Sequence, residues 1–239
     1  MNQYYGDYKR YYQPIFNSSN DSIHHYEMLI RKKDGSSAFQ EIIELEKEGK
    51  IHEIDLSNLM FAVSEVNKGR VAHPIAINIS SDSLGRNGFF EDMANVLRTC
   101  KNRQLISLEL TETGNMPDIP QFRGFFQILQ DEGIKISADD FSCGFMNESI
   151  ISSLPFDNIK IDKLLIHGMM TDKSMEDRVS KLVEYARHND ISITAEFVDN
   201  IEIYNKVKEM GIDFIQGYYL GIPAPSMIQE KDRHTTCSM

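Results

Sequence analysis

The sequence predicts an α/β fold, a (β/α)8 barrel, on three observations. Strand-like and helix-like segments alternate through nearly the whole chain. About eight such units in 239 residues match a barrel, for which about 250 residues is typical. No Pro/Gly/Ser-rich linker or low-complexity tract divides them, so one domain is the simpler organisation. A doubly wound open sheet is the alternative, but neither GxGxxG nor GxxxxGKS/T occurs, which removes the usual phosphate-loop reasons for preferring it.

In chain order, strand spacing or short apolar runs appear in YYQPIF (11–16), HHYEMLIR (24–31), PIAINIS (74–80), LISLELTE (105–112), IKISADD (134–140), NIKIDK (158–163), ISITAE (191–196) and DFIQGYYLG (213–221). Helical spacing appears between them in AFQEIIELEKEGK, EIDLSNLMFAVSEVNK, FFEDMANVLRTC, IPQFRGFFQILQDEG, MEDRVSKLVEYARHND and NIEIYNKVKEMG. Gly49, Gly133 and Gly211 sit where helices are expected to stop. The expected layout is an extension over 1–10, a barrel domain over 11–228 and a polar tail, QEKDRHTTCSM, over 229–239. Packing is the expected use of Tyr4, Tyr5, Tyr8, Tyr11 and Tyr12 near the start.

Composition is ordinary for a globular protein, with 41% hydrophobic and 26% charged residues. A net charge of −11 argues against a general nucleic-acid or acidic-membrane surface, since both recruit basic patches. Cys100, Cys143 and Cys237 form no CxxC pair, and an odd count suits a reducing cytoplasm better than a disulfide framework. The start lacks a signal-peptide core and no apolar run approaches the ~20 residues of a membrane span, so a cytoplasmic protein without membrane insertion is expected.

Polar residues recur at or near the strand ends: Glu27, Asn78, Glu109 and Glu112, Asp139 and Asp140, Lys160 and Asp162, Glu196, and Gln216. In a barrel these ends gather at one face, where active sites are built. An isolated strand-end carboxylate ordinarily faces solvent or caps a helix. Five of them (Glu27, Glu109, Asp139, Asp140, Glu196) facing one another with an amide oxygen require protons or cations for neutrality. Oxygen donors without paired His or Cys favour Mg2+, Mn2+ or Ca2+ over structural zinc. Adjacent aspartates suit two ions, one carboxylate bridging both, and paired cations suit phosphoryl chemistry. Phosphate esters are therefore the first substrate class. Lys160 is placed to orient or deprotonate a water and Arg31 to grip phosphate; the ordinary alternative for each is a salt bridge.

These stretches resemble the EAL-domain phosphodiesterases, bacterial enzymes that linearise cyclic di-GMP. YYQPIF with YEMLIR resembles the opening strands and the Glu-Ala-Leu signature. NIS, LELTET, ADDFSCGF, LPFDNIKIDK, AEFVDN and DFIQGYYLGIPAP resemble the later motifs in the family's order, over roughly residues 11–225. The resemblance implies a stand-alone phosphodiesterase, in a modified barrel with one antiparallel strand, that opens cyclic di-GMP to linear pGpG. It implies two Mg2+ or Mn2+ per site, with Ca2+ inhibitory: Glu27, Asn78, Glu109 and Asp139 on one ion, and Asp139, Asp140 and Glu196 on the other. Lys160 matches the lysine that acts on water, and Arg31 a substrate-phosphate contact. Asp162 and Gln216 match polar supports, and Glu112 the anchor of the loop after the aspartates. A homodimer across the face near that loop is also implied.

Three departures stand out. Met28 replaces the signature alanine but is expected to point away from Glu27. DDFSCG stands where the family reads Asp-Asp-Phe-Gly-Thr-Gly, placing Ser142 and Cys143 in the loop. AEFVD stands for Ala-Glu-Gly-Val-Glu, placing Phe197 beside Glu196 and shortening the last carboxylate at Asp199. A thiol near cations has a lowered pKa, which raises a redox role for Cys143; a small residue tolerated in a loop is the plainer reading. His24 and His25 are expected to be structural or exposed. The altered stretches motivate the alternative function, a non-catalytic EAL-like module that binds cyclic di-GMP or a regulatory protein.

Overall fold

A computed structural model describes residues 8–111, 119–141 and 148–227. Glu112, Ser142, Cys143 and Cys237, together with Tyr4 and Tyr5, lie outside the described residues. Eight strands lie where the alternating patterns predict them: β1 (Lys9–Asn17), β2 (Ile23–Arg31), β3 (Ile75–Ser80), β4 (Ile106–Thr111), β5 (Lys135–Phe141), β6 (Asn158–Ile161), β7 (Ser192–Ala195) and β8 (Phe214–Ile215). They form a closed barrel in sequence order. β2 through β8 run parallel to their neighbours, whereas β1 is antiparallel to both β2 and β8. The reversal follows from chain length. Only Ser18–Ser22 separate β1 from β2, which permits a hairpin but not the crossover a parallel pair needs.

The helices are α1 (Phe39–Lys47), α2 (Ile51–Asn67), α3 (Ser81–Leu84), α4 (Phe89–Arg98), α5 (Ile119–Asp131), α6 (Glu148–Ser153), α7 (Lys163–Gly168), α8 (Lys173–His188) and α9 (Ile201–Glu209). The six predicted helices are present; α3, α6 and α7 were not foreseen, being only four to six residues long. α3 and α7 are set by capping. Ser80 accepts from the Asp82 backbone N–H and Asp162 from that of Leu164, each satisfying a donor that the helix start leaves free. Gly49, Gly133 and Gly211 adopt φ of 67°, 82° and 73°, the left-handed stop expected of them.

Register decides which side chains meet inside the barrel. Gln13 pairs with Glu27, Glu27 with Ala76, Asn78 with Glu109, Glu109 with Ser137, Ser137 with Asn158, and Lys160 with Thr194. Neighbours in register share a face and side chains alternate along each strand. Glu27, Asn78, Glu109, Asp139, Lys160, Glu196 and Gln216 therefore face inward towards the C-terminal mouth. Ser107, Ser137, Asn158 and Thr194 face inward beneath them. The outward face carries Ile75, Ile77, Ile79, Ile106, Leu108, Leu110, Ile136, Ala138, Ile159, Ile161, Ile193 and Ala195. All are buried in one apolar cluster with helix residues such as Leu59, Val63, Met93, Phe122, Phe126 and Val179. Burying each large aliphatic contributes about 1.5–3 kcal/mol, so the core lies between barrel and helices and leaves the interior free for polar groups. Met28 is buried in this outer cluster, as expected from its alternation with Glu27. Tyr12 joins it too, while Tyr8 packs on a smaller cluster of Ile30, Ala38, Leu45, Ile51 and Ile54. Among the described residues no helix is long and apolar enough to cross a membrane.

Candidate active site

Lys160 stands at the centre of the inward-facing ring with 1% exposure. Its Nζ donates to Glu109 Oε2 at 2.8 Å. It also lies 3.0 Å from Glu196 Oε1, 2.8 Å from Asp139 Oδ1 and 3.6 Å from Glu27 Oε2. Two amides brace Glu27: Asn78 Nδ2 donates to Oε1 at 2.9 Å, and Gln216 Nε2 to Oε2 at 2.6 Å. Beneath them, His25 is buried and its Nδ1 lies 2.8 Å from that of His24, which stacks on Phe214. His25 is buried and His24 exposed, in line with the expectation that the pair is structural or exposed.

Two adjacent aspartates on a regular strand would face opposite ways. β5 resolves this with an extra residue: Ala138 pairs with Ile159 but Phe141 with Ile161, so three steps on β5 match two on β6. Asp140 absorbs the bulge at φ 53°, a left-handed conformation that Asp tolerates better than most residues. Asp139, Asp140 and Glu196 consequently offer carboxylate oxygens that all lie within 4.8 Å of one another, a spacing one cation can gather.

The charges are not balanced. Loss of water on burial drives the Glu109 carboxyl up to about 8 despite Lys160, with Glu27 and Asp139 adding to the rise. Burial raises Asp139 and Glu196 as well. For Asp140, desolvation and the Asp139 charge push the carboxyl to about 6, although the residue as a whole keeps substantial exposure. Glu27 goes the other way: burial opposes its ionisation, but Lys160, Asn78 and Gln216 outweigh it and hold the carboxyl below its usual range. Burial likewise opposes the Lys160 charge, yet Asp139, Glu109, Glu196 and Glu27 keep it well above the usual lysine range.

The donor set fits hard divalent cations. Glu109 Oε1, Glu196 Oε2 and Gln216 Oε1 are buried with no hydrogen-bond partner among the described residues, and Asp139 Oδ1, though close to Nζ, lacks hydrogen-bond alignment. Buried oxygens without donors are costly, and oxygen-only coordination suits Mg2+, Mn2+ or Ca2+. Rotating the Asn78 amide by half a turn exchanges its oxygen and nitrogen in the same space.

The remaining sequence candidates sit around this ring. Arg31, at the end of β2, lines a cavity of about 410 Å³ together with Asn78 and Asp140, so it shares the mouth with the carboxylates. Asp162 caps α7 and its charge acts on Asp140. Asp199 is at the exposed rim, accepting from Asn200 and 3.6 Å from His167 Nε2. Sequence reasoning missed Gln13, which accepts from Gln216 at 3.4 Å and donates to the Gly221 carbonyl; a lone polar residue inside YYQPIF was the available signal.

The EAL domain family matches residues 6–223. The chain belongs to the EAL domain family. Relatives include the cyclic di-GMP phosphodiesterase PdeL of Escherichia coli K12, 32% identical over 63% of this chain and 42% of its own length. PdeA of Borreliella burgdorferi is 35% identical over 64% of this chain and 23% of its length. This chain thus spans less than half of either relative. Among solved structures, a c-di-GMP complex of the PaMucR phosphodiesterase aligns with TM-score 0.81 and 27% identity over 92% of both chains. A stand-alone EAL protein from Vibrio cholerae aligns at 0.82, with 20% identity over 93% and 95%. Within this EAL domain Phe197 is the conspicuous local departure: φ is 52° at a bulky residue, a conformation costing about 1–2 kcal/mol.

Proposed function

We propose that this EAL domain is a cyclic di-GMP phosphodiesterase producing linear pGpG. The observation that carries the proposal is the convergence of Glu27, Glu109, Asp139, Asp140 and Glu196 around buried Lys160, with more oxygens than the donors of the described residues neutralise. Cyclic di-GMP in complexes of similar chains, and the phosphodiesterase names of relatives, support that substrate. Similar chains are also known with manganese and with calcium beside the same nucleotide.

Two Mg2+ or Mn2+ ions, held by Glu27, Asn78, Glu109 and Asp139 and by Asp139, Asp140 and Glu196, would supply Lewis acidity, easing ionisation of water and neutralising phosphate oxygens. The chain's own residues do the rest. Lys160, kept cationic by its carboxylate neighbours, orients the attacking water and steadies the charge accumulating on phosphate. Arg31 presents its planar fork from the cavity wall to a non-bridging phosphate oxygen. Gln216 fixes the Glu27 carboxylate so that it does not rotate out of the ring. The water gives up a proton to solvent as its oxygen bonds to phosphorus, the bond to the 3′-oxygen breaks, and that oxygen takes a proton from solvent, leaving a 5′-phosphate and a free 3′-hydroxyl.

Binding without hydrolysis is the rival reading, favoured by the altered AEFVD stretch. The complete carboxylate ring argues for turnover, since burying several acidic groups together is costly for a scaffold. A cytoplasmic homodimer belongs to the same proposal, testable by light scattering. The deciding measurement incubates purified protein with cyclic di-GMP in Mg2+, Mn2+ or Ca2+. Cleavage to pGpG in the first two and little in the third is expected; intact nucleotide in all three, where a verified enzyme cleaves it, sinks the proposal.

A further inference from the structure

Phe197 follows Glu196 at the end of β7, and its surroundings hold it on the rim. Glu196 N–H donates to the Ile161 carbonyl of β6 at 3.1 Å, while Val198 N–H donates to the Gln216 carbonyl after β8 at 3.1 Å. The backbone is therefore clamped on both sides, and the turn between the clamps falls on Phe197 at φ 52°. Val198 is fully buried against Gly217, where an added Cβ would lie 2.0 Å from the Val198 carbonyl oxygen. His167 Nε2 lies 2.9 Å from the Phe197 carbonyl oxygen. The ring, by contrast, is 48% exposed. Lys163, the first residue of α7, places its ammonium 5.8 Å from the ring centroid.

Neither backbone preference nor core packing accounts for a phenyl group here. The conformation disfavours a bulky residue, and half the side chain remains in water. Such strained positions gather at ligand sites. What the location does offer is an aromatic face next to a metal-site carboxylate, with a cation beside it to meet phosphate. We propose that Phe197 is a stacking platform for a nucleobase of the bound dinucleotide, with Lys163 serving the adjoining phosphate. The inference rests on the cyclic di-GMP reading and adds a substrate contact to it. Base stacking on an aromatic side chain tolerates any planar base, so the platform contributes affinity rather than choice among bases.

The chain contains no tryptophan, so Phe197→Trp installs a single fluorescent reporter at the platform. Its emission is expected to be quenched by cyclic di-GMP and unchanged by inorganic phosphate. Phe197→Gly, which relieves the backbone conformation and so keeps the fold, is expected to raise KM by about 10-fold with kcat little changed and no loss of thermal stability. Phe197→Tyr is expected to behave as the wild type. Unquenched emission, or an unchanged KM for Phe197→Gly in the presence of wild-type turnover, overturns the platform alone. A fall in kcat with KM preserved also overturns it, since Phe197 then acts by positioning Glu196. Wild-type protein that neither binds nor cleaves the dinucleotide overturns the functional reading and the platform together.

Discussion

The upper ring of the barrel interior gathers Glu27, Glu109, Asp139 and Glu196 around Lys160, whereas the layer beneath holds Ser107, Ser137, Asn158 and Thr194, none of which ionises. Both layers arise from the same two-residue alternation on the same strands. The lower one nearly closes on itself: Asn158 Oδ1 accepts from Ser192 at 3.1 Å and Thr194 at 3.2 Å, and its Nδ2 donates to Ser137 at 3.4 Å. Above, among the described residues, acceptors outnumber donors and one ammonium faces four carboxylates. A polar interior that satisfies itself is structure; one left with surplus negative charge is built for something that arrives from outside.

The contrast breaks most sharply at Lys160. Lys160→Ala and Glu27→Ala are each expected to lower turnover by about 10³-fold or more in a cyclic di-GMP cleavage assay. Removing the ammonium also leaves buried carboxylates unpaired, at a cost of about 3–5 kcal/mol in denaturant titrations of metal-free Lys160→Met. Retained turnover in either variant would remove the ring from the chemistry.

Next in size is a pH effect confined to the upper ring. Glu109 is raised from its ordinary 4.5 to about 8, chiefly by burial, and Asp140 from 3.8 to about 6 by burial and Asp139. Raised carboxyls bind protons more tightly when folded, so their stabilisation is complete below their unfolded values. It is lost as pH rises through about 6 and 8. The lowered Glu27 opposes this only at more acidic pH. The melting temperature in EDTA should therefore fall from pH 5 to pH 8, while the increment given by Mn2+ grows as the ligands deprotonate. A flat metal-free profile would mean that the ring is already neutralised.

The smallest effects belong below. Thr194→Val loses one hydrogen bond and should cost about 1 kcal/mol, while Ser107→Ala removes a buried hydroxyl that has no partner among the described residues and should gain about 1 kcal/mol. Both are expected to leave kcat little changed. A large loss of activity from either would join the two layers into one functional unit.

The strands and their inward ends were legible because alternation is strict: the isoleucines of IKIS and NIKI fix which residues face the helices, and so which face the interior. The ring was legible for the same reason, since Glu27, Glu109, Lys160 and Glu196 each lie two residues from a small or polar inward neighbour. What pattern does not carry is local backbone geometry. DD carries no sign of the β5 bulge that turns Asp140, and AEF none of the left-handed turn at Phe197. Four-to-six-residue helices such as α3 and α7 escape for a related reason, because their caps outweigh a periodicity too short to register.

The antiparallel β1 has a consequence for the order in which the protein becomes itself. Phe16 and Asn17 pair with Ile215 and Phe214, Tyr12 and Ala224 exchange backbone hydrogen bonds, and Glu27 receives Gln216. Each contact joins residues about 190 or more positions apart, and loop closure over such separations is slow to nucleate. During synthesis, the first strand must wait unpaired on one side until the eighth leaves the ribosome. The carboxylate ring, scattered along nearly the whole message, assembles only at that last closure.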